Sequence, residues 1–294
     1  MVKIVEGRAC AKINLFLRVT GRRPDGYHQL DSVFLPISLA DEIRLEVTSA
    51  EATSITLNCD AVALRSSQSN LATRAAHAFM SEFDLAAQIQ IDLKKKIPIA
   101  AGLGGGSSDA GAVLRMLAIA AEIDDAEDRS TISRLALSLG ADVPFFLAPR
   151  PSRVNGIGEL IAPIPIIPRL PIVIAAPPFE VSTAAIFRAL QPDDWSGPAP
   201  DTDIEAIVRG EISPAITVND LATAAIAQFP EIRRLKALLE ESGARAAQMS
   251  GSGGAVFGVF DSIEDAEQAA EKVKRRAPFA TVTAATTLDS EAPC

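Results

Sequence analysis

A chain of 294 residues, 48% hydrophobic and 22% charged, has enough apolar surface to bury a sizeable core. That excludes intrinsic disorder and predicts one large or two medium domains. The formal net charge of -9 leaves no basic excess to displace counterions, which argues against a nucleic-acid binder; an anionic ligand would have to be held locally, by backbone N–H groups and a few lysines.

In chain order, Ala9 to Val19 alternates as a strand, with Ala11, Ile13, Leu15 and Leu17 on one face and Lys12 and Asn14 on the other. The segment before it, Met1 to Gly7, has no apolar run of the signal-peptide kind. Strand-like segments follow at Val33–Pro36, Ile43–Val47 and Ile55–Cys59. Asn70 opens a helix in which Leu71, Ala75, Ala78 and Phe79 recur at helical spacing, with His77 inside it as a structural residue. Ile89–Leu93 reads as a strand, and beyond a glycine cluster Ala110, Val113, Leu114 and Leu117 make an apolar helix face. The next helix is expected from Ser130, its N-cap, to Leu139, with Gly140 as its stop.

The greasiest stretch, Leu160 to Phe179, holds Pro163, Pro165, Pro168, Pro171, Pro177 and Pro178 and is interrupted by Arg169, which excludes a membrane-spanning helix. It predicts two short buried strands with a Pro-rich connection. Gln191 to Asp203 reads as an exposed loop. A helix over Pro230–Ser242, strands at Ala244–Met249 and Ala255–Phe260, a helix over Ile263–Arg276 and a strand at Phe279–Ala284 complete the chain. Separated blocks of strand and helix point to α+β sandwiches rather than a doubly wound sheet, divided as residues 1–155 and 156–294. The three cysteines, Cys10, Cys59 and Cys294, stand in no disulfide or metal spacing, which fits a reducing cytoplasm.

The strongest chemical signal runs from Pro98 to Asp109, through Gly102, Leu103, Gly104, Gly105, Gly106, Ser107 and Ser108. Glycines there let the backbone turn sharply and aim several N–H groups at an anion, and the following helix directs its positive end to the same place. Two hydroxyls suit a phosphate or its magnesium, and Lys94, Lys95 and Lys96 just upstream add local positive charge. A Walker A loop is excluded because no lysine follows the glycines, and a dinucleotide fingerprint because Ser107 stands where its third glycine is needed. Three further pieces are ambiguous alone. A lysine on a strand usually faces solvent, yet Lys12 shares its face with Asn14. Asp142, before Pro144-Phe-Phe146, is either an Asx turn or a functional carboxylate. Met249-Ser-Gly-Ser-Gly-Gly254 is a glycine turn of a common kind between strands.

Together these pieces resemble the GHMP kinases from end to end: a Lys-bearing first strand, a Pro-x-x-x-Gly-Leu-Gly-Gly-Gly-Ser-Ser loop and a late Gly-Ser-Gly-Gly loop. Lys12-Ile-Asn14-Leu, Gly26-Tyr27-His28-Gln-Leu-Asp-Ser32 and Gly140-Ala-Asp142-Val-Pro-Phe-Phe146 are similar to the branch that phosphorylates the 2-hydroxyl of 4-diphosphocytidyl-2-C-methyl-D-erythritol in non-mevalonate isoprenoid synthesis. The resemblance implies a two-domain fold, with an N-terminal ribosomal-protein-S5-domain-2-like domain and a C-terminal ferredoxin-like α/β sandwich. It implies ATP and Mg2+, with Lys12 and Asp142 catalytic. Asn70, Lys96, Pro98 and the Gly102–Ser108 loop would hold ATP, and Ser108 the magnesium ion. Asn14, Tyr27, His28, Asp142, Thr183 and Phe187 would hold the acceptor, with Phe187 on the face of the cytosine opposite the Tyr27-His28 pair.

Ala148-Pro-Arg-Pro-Ser-Arg153 departs from the glycines usual there and leaves the local path open. The expected protein is a cytoplasmic monomer or homodimer that acts on a small molecule, not on nucleic acid or a membrane. Homoserine, mevalonate or a sugar as acceptor, and a non-catalytic ligand binder, stay open as alternatives.

Overall fold

The computed structural model describes residues 2–61, 64, 69–165 and 167–289. The first half contains β1 (Val2–Arg22), β2 (His28–Ser49), β3 (Ser54–Cys59), α1 (Leu71–Glu82), β4 (Ala87–Lys94), α2 (Gly105–Ala121), α3 (Ala126–Leu139), β5 (Ser152–Gly156) and β6 (Leu160–Pro163). The second contains β7 (Pro171–Ala176), α4 (Thr183–Ala189), α5 (Asp201–Val208), α6 (Ala222–Gln228), α7 (Pro230–Glu240), β8 (Ala246–Met249), β9 (Val256–Val259), α8 (Ile263–Arg276) and β10 (Thr281–Thr286). This is the expected α+β architecture. A six-stranded sheet runs β3-β4-β2-β5-β6 with β1 also paired to β2, and a four-stranded antiparallel sheet runs β10-β7-β9-β8. Among the described residues no helix is long and apolar enough to cross a membrane.

The segments at Val33–Pro36 and Ile43–Val47 are one long strand, β2. Pro36 is tolerated inside it because it pairs with Lys12 where the register slips between Cys10 and Lys12, and a bulge is a place where a missing N–H breaks no ladder bond. A second slip, between Asn14 and Phe16, resets the alternation of β1. Phe16 therefore joins Ala11, Ile13 and Leu15 against Ile172, Ile174 and Phe257 of the second sheet, while Leu17 turns to a different cluster with Val173 and Leu235. On the opposite side Ile43, Leu45, Ile89 and Ile91 pack under Phe79, Val113 and Leu117 of α1 and α2. The centre of β1 is thus covered on both faces, and every residue from Ala9 to Leu17 is buried, Lys12 and Asn14 included.

Other boundaries also moved. α3 begins at Ala126, a turn before Ser130, because the Asp125 carboxylate accepts the Asp128 N–H at 2.8 Å and caps it. Of the two strands in the proline-rich stretch only β7 is buried; β6 is an exposed edge, with Leu160 59% accessible. The first sheet runs through to Pro163, so residues 152–163 form one hairpin across the expected 155/156 division. Gln191–Asp203 is a folded connection: a 3-10 turn at 192–194, a half-buried Trp195, a buried Ala199 and the start of α5. Ala148 to Arg153 leaves a 3-10 turn at 144–147 and enters β5 beside β2. Cys10 and Cys59 are buried, and Cys294 lies outside the described residues.

Asp31, 1% exposed on β2, ties β5 to the second half. It accepts Arg153 through Nε at 2.9 Å and Nη2 at 2.8 Å, Asn155 Nδ2 at 3.1 Å and the Ala199 N–H at 2.9 Å. Burial raises its pKa, but the Arg153 and backbone hydrogen bonds outweigh it, and the net shift is downward. A carboxylate with a depressed folded-state pKa stabilises the fold above the unfolded value of about 4, and that contribution is lost as pH falls through the folded value. Asp31→Asn is expected to cost about 1–3 kcal/mol at pH 7. The gap to the wild type should close below about pH 4, as urea unfolding at the two pH values would read. An equal gap at both would remove the charge from the explanation.

Candidate active site

The glycine loop is held open by its neighbours on both sides. Gly102 and Gly104 take φ of +82° and +73°, and Gly104 ends the loop as the left-handed N-cap of α2. The Leu103 carbonyl accepts the N–H of Lys12 at 3.0 Å, which fastens the loop to β1. The Ala101 carbonyl accepts the Ala255 N–H at 3.0 Å, and Ser250 Oγ donates to the Gly102 carbonyl at 3.1 Å while accepting the Asn14 N–H at 3.2 Å. The late glycine turn is therefore a second wall of the glycine loop. Asn219 sets its shape, donating to the carbonyls of Met249 and Gly251, both at 2.8 Å. Ser250 and Asn219 were not singled out from the sequence. A Gly-Ser turn between strands carries no mark of what it packs against.

Beside the loop lies a pair of charges. Lys12 Nζ stands 3.5 Å from Asp142 Oδ2, with the lysine 4% and the aspartate 32% exposed. Asn14 Oδ1 accepts the same ammonium at 2.5 Å, and Asn14 Nδ2 donates to Ser32 Oγ at 2.9 Å. Asn14, expected to meet the acceptor, lines the larger cavity, and its amide, engaged at both ends, also aims the lysine. The Phe34 ring lies 4.4 Å below Nζ. Burial pushes the Lys12 pKa down from its usual value, and the nearby Asp142 carboxylate opposes that shift. Asp142 owes its place to Gly140, which ends α3, and to Pro144, which starts the 3-10 turn whose Phe146 packs its ring against Gly104 and its backbone against Gly111.

Two cavities meet at the loop. The larger, about 720 Å³, is lined by Lys12, Asp142, Tyr27, His28, Thr183 and Phe187 among others. The smaller, about 330 Å³, is lined by Asn70, Lys95, Pro98 and the run from Gly102 to Ser107. Gly102, Gly104 and Ser107 line both, so the loop is a shared wall with the Lys12–Asp142 pair on one side of it.

At the far end of the larger cavity His28 stacks on Phe187, ring centroids 5.3 Å apart and planes 27° apart. Rings that close are already in contact, so no base fits between those two. Tyr27 also lines this cavity and is 62% exposed. Burial first, and then the charge of Arg22, lower the His28 pKa and favour the neutral imidazole. Thr183 Oγ1 lies 2.7 Å from Ser252 Oγ, which joins α4 to the late glycine turn.

Three expected nucleotide contacts sit differently. Lys96 turns outward to an ion pair with Glu42 and does not line the smaller cavity. Its neighbour Lys95 does, buried between Asp41 and Asp109, with Nζ 2.7 Å from Asp109 Oδ2. Successive side chains on extended backbone alternate, and only one of the pair can face the loop. Ser108, expected on magnesium, is 1% exposed and donates to the Cys10 carbonyl at 2.6 Å. Ser107, one helical position earlier, faces the cavities. Asn70 lines the smaller cavity, but its Oδ1 caps α1 by accepting the Ala72 N–H at 2.9 Å. His77 lies on the exposed face of α1, away from both cavities.

Residues 70–149 match the GHMP kinases N terminal domain and residues 203–278 the GHMP kinases C terminal family. The 4-diphosphocytidyl-2-C-methyl-D-erythritol kinase of Mesorhizobium japonicum is 40% identical over 97% of this chain and 96% of its own length. The enzyme of the same description from Thermus thermophilus is 38% identical over 92% and 93%. A crystal structure of 4-(cytidine 5'-diphospho)-2C-methyl-D-erythritol kinase superposes with a TM-score of 0.82 at 37% identity, covering 96% of this chain and 99% of that one. A homoserine kinase from Cytophaga hutchinsonii, at 16% identity and a TM-score of 0.74, shares the fold.

Proposed function

This chain belongs to the 4-diphosphocytidyl-2-C-methyl-D-erythritol kinase family of the GHMP kinases, and we propose from that premise how its two cavities carry out the reaction. It is an ATP-dependent kinase that phosphorylates 4-diphosphocytidyl-2-C-methyl-D-erythritol, at the 2-hydroxyl in our reading. ATP lies in the smaller cavity with its phosphates along the Gly102–Ser107 backbone, and the acceptor lies in the larger one with its cytosine near Tyr27, His28 and Phe187. The observation that carries this reading is the wall of glycines common to both cavities, with Lys12 and Asp142 on the acceptor side.

Phosphoryl transfer asks mainly for positioning and charge stabilisation. Asp142 accepts the proton of the acceptor hydroxyl as its oxygen bonds to the γ-phosphorus and the bond to the β-phosphate oxygen breaks, releasing ADP. Lys12, aimed by Asn14, stabilises charge on the transferring group from a site where little water competes. The α2 N-terminus and the loop N–H groups hold the phosphates in line.

The donors here suit magnesium: Ser107 and Asp142 are hard oxygen ligands on the wall of the same cavity. Together with phosphate oxygens they would hold the ion, which supplies charge neutralisation when bound.

The direct test measures ADP release by the purified protein with magnesium, ATP and 4-diphosphocytidyl-2-C-methyl-D-erythritol, against a control without acceptor. Acceptor-dependent ADP is expected, with none above control for homoserine or mevalonate. Release with one of those and none with the cytidine compound would overturn the substrate assignment.

A further inference from the structure

The connection that reads as an exposed loop places the chain's only tryptophan against the histidine of the acceptor cavity. The Trp195 and His28 rings meet edge to face, centroids 5.9 Å apart at 87°, while Phe187 covers a face of the same imidazole. The imidazole thus has one ring nearly parallel to it and one nearly perpendicular. Neither ring nitrogen of His28 has a hydrogen-bond partner among the described residues. An imidazole without such a partner has a broad final torsion, so the two neighbouring rings are what set its plane.

Trp195 is itself firmly placed. Asp220, 6% exposed, accepts the N–H of Ser196 at 2.9 Å, the Ser196 hydroxyl at 2.5 Å and the Val19 N–H at 2.7 Å. The Gly197 N–H donates to the Val19 carbonyl at 3.1 Å, and Leu221, next after Asp220, lines the acceptor cavity. The tryptophan is thereby tied to β1, the strand that carries Lys12. Its Nε1 is buried without a partner among the described residues, so the indole acts through its ring and not through its N–H.

We propose that Trp195 is a positioning residue for the pyrimidine base of the acceptor, acting through His28, whose ring edge it holds toward the base in the cavity. This rests on the reading of the larger cavity as the cytidine site. A neutral imidazole offers one donor and one acceptor, and its burial favours that form, so a fixed plane lets it meet a base edge that offers both kinds of group.

The test compares Trp195→Leu and Trp195→Phe with the wild type in steady-state kinetics with the cytidine acceptor. For Trp195→Leu the acceptor KM should rise about 3- to 10-fold, the size of a lost aromatic pair. The kcat and the KM for ATP should be retained, and Trp195→Phe should recover most of the loss because no hydrogen bond goes with the indole. An unchanged acceptor KM in Trp195→Leu overturns the proposal. So does a parallel loss of kcat and of both KM values with a lowered unfolding midpoint, the signature of a packing role alone.

If Trp195→Leu does not fold, the wild-type tryptophan emission decides: it should change saturably on adding CDP. No change, at CDP concentrations that inhibit turnover competitively with the acceptor, overturns the proposal. A wild type without cytidine-dependent turnover overturns the reading and the proposal together, whereas failure of the proposal alone leaves that turnover intact.

Discussion

Lys12→Met is expected to lower kcat by about 10²–10³, the cost of removing one preorganised charge from a site of this kind. Methionine keeps most of the volume under the loop, and the ammonium it removes is buried and held by Asn14 and Asp142. Asp142 is a third exposed, so its carboxylate stays hydrated without its partner, and the cost to the fold is the one lost hydrogen bond to the buried Asn14 Oδ1, about 1–3 kcal/mol. The loss should therefore fall on turnover, with ATP affinity near that of the wild type. Asp142→Asn should lower kcat by about 10²–10⁴, as loss of a general base does. The double variant should be little worse than either single one, since the two groups act as a unit. Steady-state kcat, with ATP affinity measured by equilibrium binding, reads all three. A kcat within about threefold of the wild type for either single variant would take that residue out of the mechanism.

Gly253→Ala is expected to damage fold and site together. A methyl group there would lie 2.1 Å from the Gly102 nitrogen and 2.2 Å from the Ala101 carbonyl carbon, both backbone atoms that cannot swing aside. Gly102 faces the converse problem, with Ser250 O 2.1 Å from its would-be Cβ. The two glycine turns are in direct backbone contact, and an added carbon must push the Gly102–Ser107 loop off its second wall. The expected cost is about 3 kcal/mol or more, with a matching loss of ATP affinity. Gly197→Ala is the natural comparison. Its φ is +69° but nothing lies within 4 Å, so it should cost only the backbone strain of about 1 kcal/mol. Urea unfolding and equilibrium nucleotide binding on both variants separate the two effects. A Gly253→Ala protein as stable and as tight-binding as the wild type would show that the turns are not packed as described.

Features of this site confined to a few neighbouring residues were legible before any coordinates. Gly102 to Ser107 runs into α2, Asn70 caps α1 and Gly140 ends α3, because turns, caps and helix starts depend on φ and on hydrogen bonds within a few positions. Where two candidate residues stood side by side, local reasoning had no way to choose. Lys95 and Lys96 carry the same charge, and Ser107 and Ser108 the same hydroxyl; which one meets the ligand depends on which face of the strand end or helix is covered by β1, Asp41 and Asp109. Trp195 was hidden for a related reason. A stretch rich in proline, aspartate and glycine looks solvent-exposed until Asp220, a distant carboxylate, is seen to hold it against β1.

Read alone, the sequence determined the α+β class, the glycine loop that opens α2 and, through the resemblance its motifs carry, the family and its acceptor. Only the tertiary structure decided that Lys12 is buried beside Asp142, that the late glycine turn packs on the loop, and that His28 of the larger cavity contacts both Phe187 and Trp195. The physical reason is range. Periodicity and turn chemistry act over one or two turns of chain, whereas the partners of Lys12, Gly102 and His28 are brought together by two sheets closing on the same stretch of β1.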